Sequence, residues 1–371
     1  MSFRSKIYIP FASLVLSGLL ASCTDEENVI INNDAQEIVI STSICGGSNS
    51  TRAVAAVTDY VGRGIDVQNS RDKDFESGDK IKLTLIKRTD QPIDRFSYKD
   101  VDFLNKAGSW ERVTSDTDTE DRIYWSDANN NHTFIGYSLP IVPRSGGSEG
   151  NAFEDKWKKT VSSETIYYSC IGDPTSTEEV IDFSSEYDND GKETVSGNTK
   201  IKKEDLLLTF NTKQTAEPGG SVAKLEFHHA LANVRVIVNI RGFAATSDAM
   251  DTHTRVSDLI LTQMPMMYKW DQKSFEANPL EDTDILPSGW NKDLKKDIKT
   301  WMPHPEGEGS GVERTFTFYA LAVPGSTDLV MPFKVTYPQP LDPTSSIDKY
   351  YEAKIDDVEL KAGYCTTINI S

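Results

Sequence analysis

The sequence predicts an all-β protein, and three features carry that prediction. Apolar and polar residues alternate over short runs. Gly, Pro, Asn, Asp and Ser punctuate those runs. Helical periodicity, sought over windows of about eleven residues, is nearly absent. Many short period-two strands with such punctuation argue for antiparallel sandwiches. A length of 371 residues suggests two domains of ordinary size, each burying its own core.

The N-terminus reads differently from the rest. Arg4 and Lys6 form a short positive region. Ile7 to Ala21 is apolar or small, broken only by Pro10, Ser13 and Ser17. About fifteen such residues suit the h-region of a signal peptide and are too few for a spanning helix. The run ends in Leu20-Ala21-Ser22-Cys23, which resembles a bacterial lipobox. That resemblance implies diacylglycerol on the Cys23 sulfur, with cleavage just before it. Residues 1–22 are then the signal. A plain secretory signal followed by an incidental cysteine is the alternative. No later apolar run approaches the length that spans a membrane.

After Cys23, "TDEENVIINNDAQ" is a polar tether. "EIVISTSIC" then alternates, with Ile38, Ile40 and Ile44 on one side and Val39, Ser41 and Ser43 on the other. This strand is followed by "GGSNSTRAVAAVTDY", a Gly/Ser/Asn-rich stretch whose one basic residue is Arg52.

The body continues as strands. "FESGDKIKLTLIK" sets a Gly-Asp turn before Ile81, Leu83 and Leu85 on one face. "RIYWSDANNNHTFIGYSLP" reads as two strands around an Asp/Asn turn, stopped by Pro140. "EDLLLTF" is short, and "SVAKLEFHHALANVRVIVNI" holds two strands, the second alternating at Val234, Val236, Val238 and Ile240. "RVSDLILTQM", "RTFTFYALAVP", "VMPFKVTYP", "YYEAKIDDVEL" and "YCTTINIS" continue the pattern. Residues 141–200 are polar and read as long loops, with "FEDKWKKTVSS" as one short helix. "NTKQTAEPGGS" at 211–221 has the composition of a linker. The expected organisation is therefore 23–52 as a leading segment with the first strand, then domains at 53–214 and 215–371.

The chemistry expected of the chain is sparse. A formal net charge of −18 with scattered acidic residues repels nucleic acid, and no basic stripe is present. The cysteines are Cys23, Cys45, Cys170 and Cys365, with no two at CxxC spacing. With Cys23 lipidated, one bridge is allowed among the other three, and the sequence does not choose the pair. His228 and His229 are adjacent, and neighbours on a strand face opposite sides, so they do not jointly grip a metal. The expected picture is one imidazole buried and hydrogen-bonded, the other toward a loop. "EYDNDGKETVSG" places Glu186, Asp188, Asp190 and Gly191 like the start of an EF-hand loop. Gly197 stands where the bidentate Glu is needed, so a polar turn is expected rather than a calcium site. No phosphate loop, dinucleotide fingerprint or nucleophile elbow occurs. "MPMMYKW" reads as packing. The chain is expected not to be an enzyme and to need no cofactor or metal.

Taken in order, these pieces resemble a known family. A lipobox precedes a strand, then Thr51-Arg52-Ala53. "FESGDKIKL", "NHTFIGYSLP", "LEFHHALANVRVIV", "FYALAVPG" and "ELKAGYCTTINIS" follow. This chain is similar to the fimbrillins, the pilus subunits of Bacteroidales type V fimbriae, and their fimbrillin-like relatives. The most telling pieces are "FHHALANV" and "LKAGYCTTINI". The resemblance implies two tandem transthyretin-like antiparallel β-sandwich domains. It implies a lipoprotein precursor at the outer membrane, cut after an Arg by an arginine-specific protease. The matching residue is Arg52, with Ala53 as the new N-terminus. It implies assembly with other pilus subunits by strand exchange, with Ile38, Ile40 and Ile44 plugging the donor-strand groove until the cut. The donor comes from the C-terminal region, and the chain ends at Ser371 straight after the last expected strand. That strand either peels away to donate, or the subunit only accepts, as at a fibre tip. A glycan or a host surface receptor would be the adhesive partner.

A second reading is a monomeric surface-anchored glycan-binding lipoprotein. Its sugar platform would draw on Trp110, Trp157, Trp270, Trp290 and Trp301.

Overall fold

The computed structural model describes residues 37–44, 75, 77–87, 96–114, 122–125, 132–138, 158–161, 164–172, 180–214, 222–241, 254–270, 277–278, 291, 293–309, 313–339 and 342–371. The chain runs through β1 (Val39–Ile44), β2 (Lys80–Lys87), β3 (Phe96–Lys106), β4 (Ser109–Arg112) and β5 (His132–Ser138). Next come β6 (Lys158–Val161), β7 (Glu164–Cys170), β8 (Val180–Asp182), β9 (Glu186–Tyr187), β10 (Glu193–Val195) and the helix α1 (Gly197–Glu204). β11 (Leu207–Gln214), β12 (Val222–His229), β13 (Ala232–Arg241), β14 (Arg255–Ser257), β15 (Ile260–Pro265), β16 (Met267–Trp270) and β17 (Ala277–Asn278) follow. The last strands are β18 (Lys295–Lys299), β19 (Glu313–Ala322), β20 (Gly325–Gln339), β21 (Asp342–Leu360) and β22 (Cys365–Ile370). The protein is all-β.

The first sheet has seven strands in the order β1-β12-β11-β5-β2-β3-β4. Its ladders are antiparallel except for β1 with β12, which is parallel. β5 lies at the centre and is buried along its whole length. Gly136 is needed there, because a Cβ would strike the Leu83 side chain and the Lys82 carbonyl of β2. Alternation on β12 turns Ala223, Leu225 and Phe227 inward and leaves Val222, Lys224 and Glu226 exposed. These side chains join Ile81, Leu83, Leu85, Val101, Phe103 and Phe134 in one core.

A second core gathers β13 and much of the chain after it, together with Cys170, Ile171, Phe183 and Ile201 from before β11. Val234, Val236, Val238 and Ile240 all point into it. β13 is the middle strand of β19-β13-β22, antiparallel to β19 and parallel to β22. Sheets β14-β20-β21, β15-β18-β8 and β17-β16-β7-β6 close around the same core. Met264, Met266 and Met267 are buried in it, filling space as flexible thioethers do. The chain enters the second core over Cys170–Ile201, returns to the first at Leu207, and passes to the second again between Phe227 and Leu231. Of residues 211–221, read from composition as a linker, 211–214 are the end of strand β11, and 215–221 lie outside the described residues.

Two expectations for 141–200 are corrected. Lys158–Val161, expected inside a short helix, is strand β6. The supposed loops contribute β7 and β8, which pair with β16 and β18 about a hundred residues later. The helix lies instead at Gly197–Glu204, where Ser196 accepts from the Asn198 amide as N-cap and Ile201 is fully buried.

Candidate functional site

The site is the edge of the first sheet that β1 occupies. Ile38 and Ile40 point inward and are buried, while Val39, Ser41 and Ser43 face solvent. Burying each isoleucine contributes about 2 kcal/mol. The ladder to β12 runs in unbroken register from Val39 opposite Val222 to Ile44 opposite Phe227. Parallel neighbours need a long crossover. Here the partners are about 180 residues apart in sequence.

The other side of β1 is held less regularly. The Ile38 amide donates to the Ile123 carbonyl at 2.9 Å, and Glu37 bridges Tyr124 in antiparallel sense. Arg122 reaches the Glu37 carboxylate at 2.9 Å, an exposed pair that adds little. Trp110 of β4 donates from Nε1 to Thr42 Oγ1 at 3.0 Å. The Trp110 ring packs edge-on against Phe75, which packs edge-on against Phe227, each at 5.1 Å. β1 therefore lies in a groove with β12 as one wall, the 122–125 segment and Trp110 as the other, and Ile123, Trp125, Leu225 and Phe227 in the core beneath. Without β1, an apolar trough and an unpaired β12 edge would face water.

Of the residues expected to form the plug, Ile38 and Ile40 come together in this groove. The backbone of Ile44 lies opposite Phe227. Cys23, Arg52 and Ala53 lie outside the described residues. Ile123 and the Glu37–Arg122 pair were not singled out from the sequence, and Trp110 was named there only as a candidate for a sugar platform. The alternation of β12 was readable there, but its parallel pairing to β1 carries no local signal.

The other candidates resolve individually. His229 is buried, its Nδ1 2.8 Å from Asp205 Oδ1, while His228 on the opposite face is half-buried. Asp188 accepts from the amides of Asp190 and Lys192 at 3.0 and 2.8 Å, closing a polar turn between β9 and β10. Cys170 and Cys365 are buried thiols without a disulfide, and Cys45 lies outside the described residues. Trp301 is buried against Tyr319, and Trp110 is engaged with Thr42. Trp157 and Trp290 lie outside the described residues. Among the described residues no group of three or more His, Cys, Asp or Glu could hold a metal. Among them, no helix is long and apolar enough to cross a membrane.

The site of this all-β chain is one of packing, its first described strand filling an edge groove. The chain belongs to the fimbrillin-like family, whose model matches residues 67–371. That membership makes it a pilus or adhesin subunit that acts at the cell surface and is not an enzyme. No curated protein matches the sequence. Among solved structures it is similar to a candidate cell adhesion protein from Bacteroides ovatus, at 15% identity and TM-score 0.45, covering 90% of this chain and 91% of that one. It is also similar to a fimbrial protein from Bacteroides ovatus, at 14% identity and TM-score 0.37, covering 91% of this chain and 49% of that one. A third is a candidate cell adhesion protein from Bacteroides uniformis, at 13% identity and TM-score 0.39, covering 90% and 93%.

Proposed function

We propose that this protein is a structural and adhesive fimbrial subunit, exported as a lipoprotein, activated by proteolysis after Arg52 and assembled by donor-strand exchange. The observation that carries the reading is β1. It is a discrete edge strand, parallel to β12, with Ile38 and Ile40 buried, and it precedes Arg52 in the chain. In this reading residues 1–22 are the signal and 23–52 the lipidated propeptide. The two cores are the tandem transthyretin-like sandwiches.

The sequence of events follows from the residues. Lipid on Cys23 delivers the precursor to the outer membrane. An arginine-specific protease cuts between Arg52 and Ala53. Cys23 and its lipid then stay with the segment that bears β1, held only by noncovalent contacts. Its departure opens the groove lined by Ala223, Leu225 and Phe227 of β12. A strand from another pilus subunit pairs with β12 and reburies that surface. Two or three large side chains at about 2 kcal/mol each give several kcal/mol before ordering costs. Repeated head to tail, such a contact does not close and yields a filament at the cell surface. β22 is the donor strand this chain has to offer, since it too is an edge strand in a parallel pair. The adhesive partner is a glycan or a host surface receptor.

Limited trypsin treatment of the precursor lacking its signal tests the reading. A cut after Arg52 should give SDS-resistant ladders or filaments. A cut product that stays monomeric at high concentration ends the strand-exchange model. Labelling with a lipid precursor, compared with Cys23→Ala, tests the anchor separately.

A further inference from the structure

β21 is the longest strand and an edge strand. Among the described residues it pairs only with β20. Its inward face is mostly apolar and only partly covered, with Ile347 and Ala353 packed against the second core. Phe333 lies opposite Tyr351, Met331 opposite Ala353 and Leu329 opposite Ile355. The β20 partners are buried, yet Tyr351 is 41% and Ile355 37% exposed, and Tyr350 on the outer face is 78% exposed. Three of the eight exposed large apolar side chains among the described residues thus sit on one short stretch of one edge. A cavity of about 280 Å³ opens beside Tyr351, between Phe333 and the ends of β13 and β22. Unpaired backbone next to exposed apolar surface is the combination that recruits another strand.

We propose that β21 pairs antiparallel with β21 of a second copy of this chain, with the two-fold axis at Tyr351. The charges choose both the partner and the register. Backbone groups alternate between the two edges of a strand, so residues of like parity must face each other. With Tyr351 at the axis, Ile347 faces Ile355, Asp348 faces Lys354, Lys349 faces Ala353 and Tyr350 faces Glu352, each twice. No like charges meet. The neighbouring registers are worse. One sets Glu352 against Glu352, another Asp348 against Glu352, and a third Lys349 against Lys349. A shift the other way would need Lys349 to pair with Asp357. That residue lies at φ 54° in the bulge where the β20–β21 register shifts. The bulge therefore ends the usable edge, and 347–355 is the stretch that pairs. Two three-stranded sheets become one continuous six-stranded sheet across the dimer. Tyr351, stacked on Phe333 at 5.6 Å, is buried at its centre.

This contact does not depend on cleavage after Arg52, so the uncleaved full chain tests it. Sedimentation should show a concentration-dependent dimer. Tyr351→Cys should form a disulfide-linked dimer on mild oxidation, whereas Ala353→Cys and the unaltered chain should not. Lys354→Glu should raise the dimer dissociation constant roughly ten-fold, because two attractive pairs become repulsive. Adding Asp348→Lys to that variant should restore the dimer. A monomer at all concentrations, crosslinking through Ala353→Cys instead, or a dimer indifferent to both charge changes would overturn the proposal.

Discussion

Trp110 donates its indole hydrogen to Thr42 Oγ1 at 3.0 Å, and this bond ties β4 at one end of the first sheet to β1 at the other. The order of strands in that sheet puts β1 and β4 at opposite edges. The side-chain bond means the sheet curls until its edges meet. Trp110→Phe keeps the ring against Phe75 and removes the donor. It should weaken β1 docking by about 1 kcal/mol, the usual net value of such a bond. Hydrogen exchange at Val39–Ile44 should speed up about five-fold, with little change in the second core.

The buried and exposed sides of β1 should respond differently. Ile38→Ala or Ile40→Ala removes buried volume from the first core and should cost about 2–4 kcal/mol in denaturant unfolding. Val39→Ala, at a side chain 48% exposed, should stay within about 0.5 kcal/mol. Equal effects at the two faces would contradict the burial seen here.

Gly197 opens α1 in a place with no room for a side chain. A Cβ there would collide with the Phe183 carbonyl and the Trp301 ring. Alanine normally favours a helix over glycine. Here Gly197→Ala should instead destabilise by about 1–3 kcal/mol, the usual cost of overpacking, as read from thermal unfolding.

Burial pushes the His228 imidazole below its ordinary value of 6.5. Glu226 opposes the shift and His229 adds to it. The unfolded chain therefore binds this proton more readily than the folded one. Stability is fully present above pH 6.5 and is lost as the pH falls from there toward the folded value. Between pH 7 and 5 the chain should lose more thermal stability than its His228→Gln variant. Parallel pH profiles would refute the assignment.

Much of the strand content was readable from period-two alternation. β13 and β19 are examples, because half their residues face a core and the pattern survives in one dimension. β7 and β8 were missed because their partners, β16 and β18, lie about a hundred residues away. They coincide with the two apolar stretches of 141–200, "ETIYYSCI" and "EEVIDF", and it is the polar sequence around them that reads as loops. The 153–163 segment was misread because Lys158–Val161 gains its hydrogen bonds from β7, which outweighs a mild helical preference.

The sequence by itself determined that this is an all-β chain, that a strand with Ile38 and Ile40 on one face precedes Arg52, and that no catalytic motif is present. Alternation and motif spacing are local properties, so one dimension suffices for them. Only the tertiary structure decided where that strand goes. It lies parallel to β12, under Trp110 and beside Ile123, contacts whose partners are separated by tens to hundreds of residues. The exposed edge of β21 was likewise decided by which strands pack over it. A strand's own residues set which face is apolar, but its neighbours set whether that face is covered.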